Sequence, residues 1–167
     1  MRPPHKTAGM RHASGTSKPG YAALRKGRCS LAGQIYLVTF ITCNRHPLFA
    51  DHESARIASR TLSDPRLWQD ARLHAWVLMP DHWHGLIELG AMHDLSAVVR
   101  NLKSNTARRI RLVHPGLATI WEKGFQDHAL RKEEAMYAAA RYLVLNPIRA
   151  GLARRVGDYP YWNADWI

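Results

Sequence analysis

Apolar and polar residues change their period several times along this chain, and each change marks an element. Tyr36-Leu-Val-Thr-Phe-Ile-Thr-Cys43 is dense in β-branched and aromatic side chains and predicts a buried strand. Asp51 is placed to cap a helix whose Ala55, Ala58 and Leu62 share one stripe. Leu73-His-Ala-Trp-Val-Leu-Met79 and His84-Gly-Leu-Ile-Glu-Leu89 read as two more strands, and the turn signal Pro80-Asp81 joins them as a hairpin. Asp94 caps a long helix that turns Leu95, Val98, Leu102 and Ile110 to a core and stops at Pro115-Gly116. Phe125-Gln-Asp-His-Ala-Leu130 is a candidate fourth strand. A last helix is expected over 133–145, ending before Pro147 because the residue preceding a proline disfavours the helical region.

This order (strand, helix, strand, strand, helix, strand, helix) predicts an α+β fold: a ferredoxin-like antiparallel sheet with helices packed on it and an added C-terminal helix. Residues 1–33 show no period and are rich in Gly, Pro, Ser and Lys, so they read as a flexible arm ahead of a single domain over 34–167. A chain of 167 residues suits one domain. No apolar run approaches the roughly 20 residues needed to span a bilayer, and residues 1–20 lack an apolar stretch of signal-peptide length. The expectation is a cytoplasmic protein with no membrane partner. Cys29 and Cys43 form no paired motif, which argues against a disulfide framework or zinc knuckle.

Charge sharpens the picture. The net charge is +11, from 24 basic and 13 acidic side chains. Seven of the basic residues, among them Arg25, Lys26 and Arg28, fall before Gln34, where there is no Asp or Glu. A basic arm on a mildly basic domain points to a polyanion, most often a nucleic acid. The long helix adds Arg100, Lys103, Arg108 and Arg109 as candidate phosphate contacts, the alternative being a solvated helix face. Trp and Tyr near the carboxy terminus can stack on unpaired bases or belong to the core.

Two short motifs carry candidate chemistry. In Met79-Pro-Asp-His-Trp-His-Gly85, His82 and His84 are one residue apart, so on a strand both imidazoles share a face and Trp83 takes the other. Two imidazoles so placed can bind one divalent metal; they can equally be two histidines at a hairpin rim. In Arg141-Tyr-Leu-Val-Leu-Asn-Pro147, Tyr142 and Asn146 are four apart on one helical face. An amide oxygen suits Mg or Mn, and a tyrosine hydroxyl beside a metal-polarised phosphate can act as a nucleophile. The alternative is a core tyrosine and a helix-ending asparagine.

Met79-Pro-Asp-His-Trp-His-Gly85 resembles the His-hydrophobic-His (HUH) motif of single-strand transposases, and Tyr142 with Asn146-Pro147 resembles the tyrosine helix of their REP-associated branch, the REP-associated tyrosine transposases. Leu24-Arg-Lys-Gly-Arg28 before Gly33-Gln34, Tyr36-Leu-Val-Thr39, Leu102-Lys103, Trp121, Phe125-Gln-Asp-His128 and Arg131 are similar too. Asn146-Pro-Ile-Arg-Ala-Gly-Leu152 and Asp158-Tyr-Pro-Tyr-Trp162 complete a match over residues 20–163. The resemblance implies an enzyme that nicks and rejoins single-stranded DNA at hairpins of repetitive extragenic palindromes, through a 5′-phosphotyrosine intermediate. It implies Tyr142 as nucleophile, His82, His84 and Asn146 as ligands of Mg or Mn, Arg25, Lys26 and Arg28 in an arm along the DNA, and a monomer. Asn146 follows this branch, where the wider class often has glutamine. Tyr137 is a rival nucleophile, and Asp127 and His128 carry no assigned role. Two other readings stand beside it: a protein that binds such hairpins without cutting, and a replication initiator or relaxase, which the small size disfavours.

Overall fold

Alternation of side chains at every second residue builds a two-faced sheet. In the computed structural model of the chain, which describes residues 31–131 and 133–166, β1 (Ile35–Ile41) buries Tyr36, Val38 and Phe40 on one face. The hairpin partners β2 (Arg72–Met79) and β3 (His82–Glu88) do the same with Trp76, Leu78, Trp83 and Ile87. These residues form one core with α1 (His52–Leu62) and α2 (Leu95–Val113). The opposite face, carrying Ala75, Val77, Met79 and Leu86, packs against Met136, Ala140, Leu143 and Val144 of α3 (Glu133–Arg149). The sheet is thus sandwiched between a helix pair and a single helix. The segment 1–30, with Arg25, Lys26 and Arg28, lies outside the described residues.

The strands run β4-β1-β3-β2-β5, with β4 (Gln126–Ala129) and β5 (Trp162–Ala164) on the edges and every pairing antiparallel. The expected ferredoxin-like α+β arrangement is present, with β5 as an addition. Three residues are too short a run to show a period, and β5 is set by its pairing to Ala75–Val77. The aromatic residues around it are structural. Tyr159 Oη donates to Leu78 O at 2.6 Å, Trp162 Nε1 to Val156 O at 3.1 Å, and the Trp166 ring lies 5.7 Å from that of His74.

Both helix starts follow their caps: Asp51 accepts from Ser54 N at 2.8 Å and Asp94 from Ala97 N at 2.6 Å. The end of α3 corrects the expectation. The helix does not stop at 145 but continues through Pro147 to Arg149. Proline forfeits one backbone bond, and the loss is offset four residues later. Gly151, at φ +71°, adopts the left-handed geometry that closes a helix, with Leu152 N donating to Pro147 O at 2.8 Å and Gly151 N to Ile148 O at 3.0 Å.

Trp83 is the pivot of the larger core. It is fully buried, and its ring stacks on Phe40 with centroids 4.8 Å apart. The indole lies over Gly85, two residues along the same strand, where any Cβ would collide with it. Gly85→Ala is therefore expected to lower stability by about 1–3 kcal/mol through overpacking. Urea titration of the variant checks this, and an unchanged midpoint would mean that the indole can move aside.

Candidate active site

The turn that carries the His-x-His motif is held from several directions. Thr42 N and Thr42 Oγ1 both donate to Asp81 O at 2.9 Å, and Phe49 N donates to Pro80 O at 2.9 Å. Beyond the turn, β3 pairs His82 with Ile41 and Met79, and His84 with Thr39 and Val77. Trp83 points into the helix-pair core, so both histidines face the side of the sheet covered by α3. Their rings meet edge to face at 4.6 Å between centroids.

Each imidazole is oriented through its Nδ1. That of His82 lies 2.5 Å from Asp81 Oδ1, and that of His84 lies 2.6 Å from Thr39 Oγ1. When Nδ1 donates to these oxygens, Nε2 keeps its lone pair on both rings, the arrangement that a metal-binding histidine needs. Burial is the main cause that pushes the His84 pKa down, to about 3; the His82 charge adds to it, Asp81 opposes it, and Arg45 adds again. His84 is therefore neutral at ordinary pH. Burial pushes the Asp81 carboxyl up, but the hydrogen bond from His82, and the hydrogen bond from Arg45 at 3.0 Å, hold it below the usual carboxylate range. Arg45 and Asn44 both have positive φ, 52° and 53°, a conformation that side-chain-bearing residues rarely adopt and that concentrates near functional sites.

Tyr142 and Asn146 lie one turn apart on α3, the helix that covers the histidines' face. Tyr142 is 45% exposed, and the Arg149 guanidinium sits 4.7 Å from its ring centroid. Asn146 Nδ2 is buried without a hydrogen-bond partner among the described residues. Amide oxygen and nitrogen exchange places by a flip, so this position can present Oδ1 to a cation. Among the described residues no three His, Cys, Asp or Glu side chains converge as a metal cluster. Imidazole nitrogens and an amide oxygen are donor types that suit a divalent ion.

Tyr137, the rival, is 47% exposed and packs its ring 5.4 Å from Trp166, which in turn lies against His74. His74 bonds Glu88 at 2.8 Å, at the opposite end of β3 from His82, about 20 Å of strand away.

The basic side chains of α2 divide into two groups. Arg100 is exposed, and so is Arg108, which bonds its helical neighbour Asn105 at 2.9 Å. Lys103 Nζ instead reaches the carbonyls of Glu122 and Gly124 at 2.5 and 2.7 Å, and Arg109 pairs with Asp64 at 3.2 Å. Thr39 and Asp81 hold the two imidazoles, Arg45 bonds Asp81, and Arg149 lies against Tyr142; none of the four was singled out from sequence, and the register Thr39↔His84 shows why Thr39 meets that ring. Asp127 and His128 pair with Val38 and Leu37 on the β1 edge, so their side chains leave on opposite faces.

The profile of the family described as "Transposase IS200 like" matches residues 30–142. A REP-associated tyrosine transposase of Escherichia coli is 29% identical over 90 residues, 53% of this chain and 52% of that protein. The chain thus aligns with about half the length of this relative. An uncharacterized protein of Haemophilus influenzae is 20% identical over 144 residues, 68% of this chain and 79% of its own. The solved structure of a REP-associated tyrosine transposase bound to a REP hairpin superposes with a TM-score of 0.64 at 25% identity, covering 81% of this chain and 79% of that one.

The low His84 pKa has a consequence for stability. Between the unfolded value, 6.5, and about 3, the unfolded chain binds the proton that the native ring refuses. Stability should therefore fall as pH drops from 6.5 towards 4, in EDTA as well. His84→Asn, which keeps a polar group near Thr39, should show a shallower fall in urea midpoint over the same range; parallel curves would mean that His84 is freely protonated in the native state.

Proposed function

Because the chain belongs to the IS200-like transposase family, we propose that it cuts and rejoins single-stranded DNA beside hairpins of repetitive extragenic palindromes, with Tyr142 as the nucleophile. The observation that carries this reading is the edge-to-face pair His82 and His84, held through Nδ1 by Asp81 and Thr39, on the sheet face covered by the helix that bears Tyr142. The position of α3 supports the choice of tyrosine. Met136 lines a cavity with His74 and Glu88, at the far end of β3, and ten residues of helix advance about 15 Å to Asn146, towards the histidines' end. Tyr137 stays with Trp166 at the far end.

His82 and His84 through Nε2, and Asn146 through its amide oxygen, would hold Mg or Mn. The ion supplies Lewis-acid polarisation of the scissile phosphate. Tyr142 Oη attacks phosphorus and gives up its proton, the bond to the 3′-oxygen breaks, and that oxygen leaves as a protonated 3′-hydroxyl. The product is a 5′-phosphotyrosine. Attack by the same 3′-hydroxyl, or one on another strand, reverses the exchange and frees the phenol. Arg149, against the Tyr142 ring, restrains the phenol and brings a positive charge beside the phosphate.

The hairpin in the solved relative supports the choice of DNA. We assign backbone contacts to Arg25, Lys26 and Arg28 of the arm and to Arg100 and Arg108 on α2, whereas Lys103 and Arg109 chiefly hold the protein's own structure.

A labelled hairpin with an unpaired 5′ foot, incubated with Mn or Mg, should yield a covalent protein–DNA adduct. Tyr142→Phe should bind as tightly and form none; an adduct from this variant would transfer the role to Tyr137. His82→Ala, His84→Ala or added EDTA should abolish cutting, and Asn146→Ala should raise the metal concentration needed. Undiminished cutting in EDTA would remove the metal from the mechanism, and tight binding without cutting by the wild-type chain would make this a hairpin-binding protein.

A further inference from the structure

A cleft of about 470 Å³ opens between α2 and the segment 119–125, on the helix-pair side of the sheet. Its size falls in the range of about 300–1,000 Å³ typical of small-molecule pockets. Ala107, Trp121 and Phe125 contribute apolar lining, and Arg100, Arg111 and Lys123 contribute charge. Trp121 is 6% exposed, and its Nε1 is buried without a hydrogen-bond partner among the described residues. Among the described residues Glu122 is the only acid in the lining, and its Oε1 accepts from Asn44 N at 2.8 Å.

A smaller cavity of about 180 Å³ shares Glu122, Lys123, Gly124 and Phe125 with this cleft. Its far side is lined by Thr39, the partner of His84, and by Arg45, the partner of Asp81. The two cavities are thus neighbours across one short segment, which Lys103 ties to α2 through the carbonyls of Glu122 and Gly124. Apolar surface rimmed by cations suits one polymer in particular: a strand whose bases are free to stack and whose phosphates are regularly spaced.

We propose that the two cavities form a track for unpaired DNA, in which the cleft between α2 and 119–125 holds a nucleotide of the same strand that Arg45 leads past the end of β1 to the histidine pair. The track rests on the reading of the protein as a single-strand DNA enzyme, and it adds a base-binding subsite on the sheet face opposite the histidines. Bases lie against the Trp121–Phe125 side, and phosphates meet Arg100 and Lys123, while Arg111 braces the rim through the carbonyls of Leu117 and Ala118 at 3.0 and 2.6 Å.

The test uses full-length Tyr142→Phe, so that only binding is read. A hairpin with an unpaired foot carries 5-iodouracil at successive foot positions, and ultraviolet cross-links are mapped by mass spectrometry. At least one position should cross-link within residues 119–125. Arg100→Glu combined with Lys123→Glu, both exposed sites, should weaken binding of a thymidine hexanucleotide at least tenfold. It should also reduce the salt slope by about 1.4, roughly 0.7 for each lost phosphate contact. Ala107→Trp, which fills the cleft without changing charge, should weaken the hexanucleotide while sparing a blunt hairpin. Cross-links confined to α3, or equal losses for the hexanucleotide and blunt hairpin in Ala107→Trp, would overturn the track. If the wild-type chain never cuts DNA and these binding results hold, the enzyme reading fails and the track stands.

Discussion

The placement of Trp83 governs the site. A strand can bury a large indole between two imidazoles only by sending the indole to one face and both imidazoles to the other, and the stack on Phe40 with Gly85 beneath leaves no slack for a one-residue slip. Any slip would bring the histidines into the helix-pair core and the indole under α3. The hydrophobic core therefore sets the direction of the polar chemistry, although none of its atoms belongs to the site.

Orientation within that face comes from polar neighbours. Asp81 is positioned by three backbone and side-chain bonds to its own turn, and Thr39 comes from the adjacent strand, so the two rings are held by separate elements. Arg45, in a strained backbone conformation, joins Asp81 to the loop that meets the 119–125 segment. Strain of that kind persists only where the surroundings overdetermine it. Here a β-hairpin turn, a loop and an edge segment share the load.

Most of this architecture was legible in the residues because it depends on local period: the buried alternation of β1 to β3, the capping aspartates, and the stripes on α1 and α2 all follow from spacing alone. The histidine pair was legible for the same reason. What escaped depends on partners distant in sequence. Thr39 matters because it sits opposite His84, β5 exists because β2 offers it an edge, and Lys103 meets the carbonyls of Glu122 and Gly124 through a fold that brings together residues 19 and 21 positions apart. Pro147 misled in the other direction. A rule about the residue before proline yields when a glycine four residues further on, Gly151, closes the helix with bonds of its own.

That extension through Pro147 gives α3 an electrostatic polarity at its tail. The last carbonyls of a helix carry about half a negative charge between them, and Asn146 and Arg149 both belong to the last turn and a half of α3. Such a pole attracts a cation and repels a bare phosphodiester. The guanidinium of Arg149, folded back over Tyr142, brings a full positive charge to the same pole. The backbone thus makes this end of α3 a place where positive charge gathers, and the Arg149 guanidinium is the first charge to answer it.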